Sequence, residues 1–187
     1  MKTLLRPINF IYVLLAIAGI VACGAPNEGK DSPGKSAADE DADAIEVLKE
    51  TLDGMDKSKA DETVKDLEAL YLKFSVDHKK DSRAPEYLYD AALLNERYLD
   101  NFDEAFLHYS SLTDDFPESE QAKKAMFMKG MIMSEYYNKC DKAIYYFDEF
   151  IRTYPDHELA GMAQDAIDVC GLSADEIFER IQKNDSL

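Results

Sequence analysis

A repeat of 38 residues constrains the fold of this 187-residue chain more than any other feature. Residues 101–105 align with residues 139–143 at this offset, and Phe116-Pro117 aligns with Tyr154-Pro155. Other apolar and small residues recur at the same spacing: Ala84, Ala122 and Ala160; Leu94 and Ile132; Tyr98 and Tyr136; Tyr109 and Phe147. A fixed period of about 20 to 50 residues indicates stacked supersecondary units.

The units are helical. Val64, Leu67, Tyr71 and Phe74 follow the three- and four-residue spacing of one helix face. The same reading predicts helices at about residues 45–55, 61–77, 85–99, 103–115, 119–137, 141–153, 158–169 and 174–183. No segment alternates with period two for long enough to form a strand, so the pattern predicts an all-α fold.

The repeat resembles the tetratricopeptide repeat, a pair of antiparallel helices. That family has a small residue in the first helix, Ala early in the second and Pro after it, and the matching residues are Ala92 and Gly130, Ala105 and Ala143, and Pro117 and Pro155. The resemblance implies a right-handed superhelical array of helix pairs, a tetratricopeptide-like α-solenoid of about three repeats. Lys129 and Asp168 depart from the pattern, and Asp168 predicts a degenerate C-terminal cap.

The period is longer than the usual family period of about 34 residues. The signatures around Pro117 and Pro155 resemble longer-period repeats of bacterial envelope lipoproteins. Those include the lipoprotein of the β-barrel assembly machinery and the Tol–Pal-associated coordinator, and the C-terminal half most resembles small tetratricopeptide lipoproteins of Bacteroidetes. The resemblance implies a non-enzymatic scaffold for an unidentified envelope protein or peptide. The alternatives are a structural subunit of an outer-membrane assembly, and an enzyme or solute-binding accessory.

The first 22 residues have the features of a secretory signal. Lys2 and Arg6 precede an apolar run over residues 8–21, interrupted by Asn9. The run ends in Ile-Val-Ala-Cys23-Gly24, which resembles the bacterial lipobox. That resemblance implies cleavage before Cys23 and lipid on the Cys23 sulfur and amine. The alternative is an ordinary cleavage site with a chance cysteine.

Residues 23–43 are rich in Gly, Pro, Ser and charge, which predicts a flexible acidic tether, with the helical domain at 44–187. Gly24 after the cysteine, instead of Asp, favours the outer membrane by the sorting pattern of proteobacterial lipoproteins. We therefore expect a lipid-anchored protein at the outer membrane that faces the periplasm.

The net charge of −17 and pI near 4.5 argue against nucleic acid as a partner. An acidic surface either keeps such a protein soluble or attracts a basic partner. The three histidines show no metal-ligand spacing with cysteine or with one another, and no phosphate loop or nucleophile motif occurs. The sequence therefore predicts no metal, no cofactor and no catalytic residue.

In tetratricopeptide arrays the first helices of the pairs line a concave groove. The groove residues of the family flank the small residue of each first helix, here Ala92 and Gly130. The corresponding partner-binding wall of this chain is Glu86, Tyr89, Leu93, Glu96, Lys124, Phe127, Met131 and Ser134. Exposed aromatic and Met side chains there are typical of docking surfaces. The alternative is that Tyr89, Phe127 and Met131 belong to the core.

Cys140 and Cys170 are the two thiols that remain once Cys23 carries lipid. Cys140 lies at the start of the second helix of one pair, and Cys170 lies at the end of the first helix of the next pair. Because these two helices are antiparallel neighbours, both cysteines lie on the same side of the array. A disulfide fits an oxidising compartment, and two reduced, buried thiols are the alternative. The oligomeric state is not specified by the sequence.

Overall fold

A computed structural model describes residues 34–184, and this part of the chain contains helices and no strand. Within residues 34–184 the α-helices are α1 Ala37–Asp53, α2 Asp61–Asp77, α3 Ala84–Arg97, α4 Phe102–Asp115, α5 Glu120–Glu135, α6 Cys140–Thr153, α7 Ala160–Val169 and α8 Ala174–Asn184. A short 3₁₀ turn, Lys57–Lys59, precedes α2. The all-α prediction is confirmed, and the boundaries lie close to those expected from the prolines and the apolar spacing.

The helices from α1 to α7 each pack on their neighbours in sequence, and α3 also packs on α5. Buried side chains form three successive clusters, between α1 and α3, between α3 and α5, and between α5 and α7. Each pair therefore buries its apolar surface against the next pair, which is the packing of an α-solenoid.

The 38-residue period is visible in the backbone. Asp100 and Asn138 occupy equivalent turns and have positive φ angles of 48° and 50°. Asp and Asn accept this left-handed conformation more readily than most residues. In both turns the next residue's N–H donates to the carbonyl six residues earlier, at 2.9 and 2.8 Å. The two turns therefore have the same local backbone geometry.

The small residues of the repeat lie where helices pack closely. Ala92 is fully buried. A Cβ atom added to Gly130 would lie 2.5 Å from the Phe147 ring, so only glycine fits against this ring. The equivalent position in α7 is Asp168, which is exposed. The third repeat thus does not bury a small residue at this position, and Arg180 of α8 instead pairs with the Asp168 carboxylate at 3.8 Å.

Helix α1 begins earlier than the predicted tether allows. The Ser36 side chain accepts a hydrogen bond from the Asp39 N–H at 3.2 Å and caps the helix. Ala42 and Ile45 are buried in the first cluster. Residues 37–43 are therefore helical, and the prediction of a tether up to residue 43 is wrong in this part. A Ser followed by small and acidic residues is typical of a flexible linker, but it is equally typical of the capped start of a helix. The predicted signal, Cys23 and most of the tether lie outside the described residues.

Helix α8 begins at a capping box formed by Ser173 and Glu176. The Ser173 N–H donates to a Glu176 carboxylate oxygen at 2.8 Å, and the Glu176 N–H donates to the Ser173 hydroxyl oxygen at 3.3 Å. Most described side chains of α8 are exposed, including Phe178. The last pair is therefore packed more loosely than the others. Among the described helices, none combines the length and apolar character that crossing a membrane requires.

Candidate partner-binding surfaces

The eight residues of the predicted wall lie on α3 and α5, but they do not share one environment. Glu86 is exposed and Phe127 is buried. The other six, Tyr89, Leu93, Glu96, Lys124, Met131 and Ser134, are half-buried. The structure therefore does not present Tyr89, Phe127 and Met131 as one open apolar wall.

Phe127 is a core residue, and the expectation that it is exposed in a groove is wrong. Its side chain is 6% exposed. Its ring centroid lies 5.5 Å from that of Phe147 and 6.0 Å from that of Phe150. Because Gly130 lets α6 approach closely, the rings of α6 reach Phe127 and bury it.

Two further apolar residues of the wall, Tyr89 and Met131, also pack inward. The Tyr89 ring lies 5.5 Å from the ring of Tyr109, and Met131 packs against the cluster between α5 and α7. Burial raises the pKa of the Glu96 carboxyl group, and burial also raises the pKa of Tyr109. Each group also shifts the pKa of the other. One Glu96 carboxylate oxygen and the Tyr109 hydroxyl are nevertheless buried without a hydrogen bond of ordinary geometry. Two polar groups, the Glu96 carboxyl of α3 and the Tyr109 hydroxyl of α4, therefore lie among apolar side chains.

A small cavity of about 160 Å³ opens where α1, α2 and α3 meet. Leu93 is the predicted wall residue that lines it, and the other lining residues are Lys49, Leu52, Asp53, Leu67, Tyr71, Asp90, Leu94, Arg97 and Tyr98. Sites for drug-sized ligands usually measure about 300 to 1,000 Å³. The cavity therefore has room for a single side chain of a partner, but not for most metabolites.

The charged residues that line this cavity were not predicted from the sequence; two of them, Asp90 and Arg97, lie on α3 beside Leu93. Burial raises the pKa of Asp90, and nearby Lys49 opposes that shift. Asp90 and Arg97 flank Leu93 at three and four residues, so all three share one side of α3. This spacing is the signal by which the sequence could have revealed them.

A second surface, which we call the aromatic patch, consists of Phe102, Phe106, Leu107, Tyr136, Tyr137, Tyr145 and Tyr146. Leu107, Tyr136 and Tyr145 are 57%, 52% and 61% exposed. Tyr136 stacks on Phe102, and Tyr145 meets Tyr146 edge to face. Tyr137 and Tyr146 are partly buried and pack against the cluster between α5 and α7. Three consecutive aromatic residues at 145–147 cannot all face one side of a helix, which is the signal for an exposed ring.

The aromatic patch explains why a lysine, Lys129, stands where the repeat usually has an apolar residue. Its ammonium nitrogen lies 5.4 Å from the ring centroid of Phe106 and 5.0 Å from that of Tyr146. Burial lowers the pKa of Lys129. The side chain therefore occupies a usually apolar position by burying its stem and holding its charge against two rings.

Cys140 and Cys170 form a disulfide, with their Cα atoms 5.6 Å apart. The bond joins the start of α6 to the residue that ends α7. The Ser134 hydroxyl oxygen lies 3.7 Å from the Cys170 sulfur, so this wall residue sits beside the disulfide. Gly171 follows with a φ of 82°, which suits glycine at a helix end.

The comparison with protein families matches residues 124–157 to the tetratricopeptide repeat. This segment covers most of α5, all of α6 and the turn that follows. No curated protein and no solved structure matches the chain at a significant level. The chain thus contains a tetratricopeptide repeat within a tetratricopeptide-like α-solenoid, an architecture that generally serves as a non-enzymatic scaffold for protein interactions.

Proposed function

We propose that the protein is a non-enzymatic scaffold that binds a protein or peptide in the bacterial cell envelope and is held at the outer membrane by lipid on Cys23. The observation that carries the proposal is the tetratricopeptide repeat at residues 124–157, set in an array whose preceding pair has the same turn geometry. Solenoids of this kind expose extended surfaces on which partners bind.

The partner is expected to contact the α3 side of the wall. Glu86 is exposed there, and the cavity next to Leu93 is lined by Asp53 and Asp90 as well as by apolar side chains. A protein with a net charge of −17 attracts cationic partners over long distances. The cavity also carries Lys49 and Arg97, so its own charges balance. The expected ligand is therefore a basic segment that places one apolar side chain in the cavity.

Charge reversal at Glu86 tests this site. Glu86→Lys should reduce capture of the partner from crosslinked membranes, because it reverses an exposed negative charge on α3 without disturbing the core. Glu62→Lys is the matched control: Glu62 is also exposed in the first turn of a helix, but α2 is the second helix of its pair. Equal capture by wild type and both variants would contradict the proposed site.

The lipid anchor has its own test. Two or three acyl chains give stable membrane binding, since each buried CH₂ contributes about 0.8 kcal/mol. Metabolic acyl labelling should mark the wild type, and Cys23→Ala should remove the label and leave the protein uncleaved or in the aqueous phase. An unlabelled, water-soluble wild type would contradict the anchor.

The aromatic patch favours a second function, a structural subunit of an outer-membrane assembly. Tyr136, Tyr145 and Leu107 are large apolar side chains that a permanent neighbour could cover. In that case the solubilised protein should sediment in a complex of fixed stoichiometry, and Tyr145→Ser should release it. Transient, substoichiometric partners would support the scaffold instead.

A further inference from the structure

His108 lies where three neighbouring helices meet. It belongs to α4 and its side chain is 7% exposed. Its Nε2 atom lies 2.8 Å from a carboxylate oxygen of Glu68 in α2 and 3.9 Å from a carboxylate oxygen of Glu104, one turn earlier in α4. One ligand atom from each of the three residues lies within 4.8 Å of the other two.

Asn95 of α3 supports this cluster from behind. Its side-chain amide is buried and donates to the same Glu68 oxygen at 2.6 Å and to the Ala91 carbonyl oxygen at 3.1 Å. A buried amide that orients a carboxylate is the kind of outer contact that fixes a ligand in a metal site. Glu104 is 45% exposed, so the cluster opens to solvent on that side.

The other two histidines provide an internal comparison. His78 bonds to Asp41 at 2.7 Å, and His157 bonds to Glu120 at 2.7 Å. In each of these pairs the carboxylate also forms an ion pair with a lysine, Asp41 with Lys73 and Glu120 with Lys123. At His108 no lysine or arginine joins the described ion pairs of Glu68 or Glu104, and two carboxylates converge on one imidazole.

We propose that Glu68, Glu104 and His108 form a binding site for a divalent transition metal, with Zn²⁺ as the first candidate. One imidazole nitrogen and two carboxylate oxygens form a set of three protein ligands with an open fourth position for water. Zn²⁺ takes the place of the proton between Nε2 and Glu68, and that proton leaves to solvent. This site is independent of the proposed scaffold function.

The ligand types distinguish the metal. Mg²⁺ and Ca²⁺ prefer oxygen ligands alone, whereas imidazole suits Zn²⁺ and its first-row neighbours. A bound ion would link α2 directly to α4, the second helices of two successive pairs. It should therefore stabilise the stacking of the first pair on the next.

The test is a competition titration of the metal-stripped full chain with Zn²⁺ against a chromophoric chelator, together with thermal unfolding in Zn²⁺ and in chelator. We expect one Zn²⁺ per chain, a higher Tm with Zn²⁺, and no such effect of Mg²⁺. Glu104→Gln keeps the shape of a half-exposed side chain. It should weaken binding by at least the roughly 10- to 100-fold seen when outer-shell partners are lost.

Glu120→Gln is the matched control, because it changes the carboxylate of the His157 pair. It should keep both the stoichiometry and the affinity of the wild type. A wild type that binds no Zn²⁺ at micromolar concentration would overturn the proposal. So would equal weakening by Glu104→Gln and Glu120→Gln, since that result would indicate adventitious binding by the acidic surface.

Discussion

The two ends of the array are fastened by different chemistry. At the first end, α1 is held by ion pairs: Asp41 contacts Lys73 at 2.8 Å and His78 at 2.7 Å, and Asp39 contacts Arg83 at 3.0 Å. At the other end, α7 is held to α6 by the disulfide between Cys140 and Cys170.

The difference follows from how much each end helix buries. Helix α1 buries Ala42, Ile45 and Leu52, whereas α7 fully buries only Ala163 among its own residues. A helix that buries a larger apolar face is already held by packing, and exposed ion pairs add little to it. A helix with a small buried face gains more from a covalent link. The array therefore has one end that responds to pH and salt and another that responds to reducing agents.

The largest expected effect comes from breaking the disulfide. Replacing both cysteines with serine should lower the free energy of unfolding by about 3 to 4 kcal/mol in the chain-entropy model, for a closed loop of 30 residues. Urea unfolding measures the loss, and hydrogen exchange should show it first in α7. A reductant should shift the wild type toward the variant and leave the variant unchanged. Identical midpoints with and without reductant would show that packing alone holds α7.

The next effect concerns packing within the disulfide-linked half. Gly130→Ala places a Cβ atom 2.5 Å from the Phe147 ring, which should cost about 1 to 3 kcal/mol as an overpacked contact. The matched control is Gly161→Ala in α7, where nothing lies within 4 Å of the added atom. That change should stabilise the protein by about 0.4 to 1 kcal/mol, because alanine favours the helix. Equal destabilisation by both substitutions, measured by urea unfolding, would contradict the close helix contact at Gly130.

The smallest effect belongs to the ion-paired end. Lys73 and then His78 hold the pKa of Asp41 below its usual value, and Arg83 lowers the pKa of Asp81 to about 2. A carboxyl group with a lowered pKa stabilises the fold above its unfolded pKa of about 3.9, and this contribution is lost as pH falls through the folded pKa. Wild type should therefore lose stability from about pH 4 toward pH 2, beginning at α1.

Asp41→Asn should remove part of this pH dependence, and high salt should mimic the substitution at neutral pH. Thermal unfolding at pH 6 and pH 3 measures it. Asp66→Asn is the control, because Asp66 is an exposed acidic residue of α2, the helix that contacts α1, and this change should leave the pH profile unchanged. A profile that is the same for wild type and Asp41→Asn would show that the ion pairs do not stabilise this end.

Local signals predicted most of the fold. Prolines at 117 and 155, the capping box at Ser173 and the apolar spacing placed the helices, because each acts within a few residues. The start of α1 was missed because an acidic, small-residue segment suits both a linker and a capped helix. The disulfide was foreseen as one of two alternatives, since antiparallel order brings two helix ends together.

The sites were harder to predict than the fold. Phe127 was placed in a groove because the family pattern does not show how closely α6 approaches Gly130. Glu68 and His108 are 40 residues apart, and in a chain with 38 acidic residues no carboxylate stands out as a partner. Such contacts depend on the rotation of each helix about its axis, which the repeat period leaves open.

The disulfide also has a mechanical consequence. If the chain is pulled by its two ends, the load passes through the bond between Cys140 and Cys170 and bypasses α6 and α7. The segment between the cysteines, whose sequence separation is 30, cannot be extended, so about 100 Å of chain length is not released until the bond is reduced. Under tension the first helices would unravel and the closed loop would remain, so the cysteines set a limit on how far the molecule can stretch.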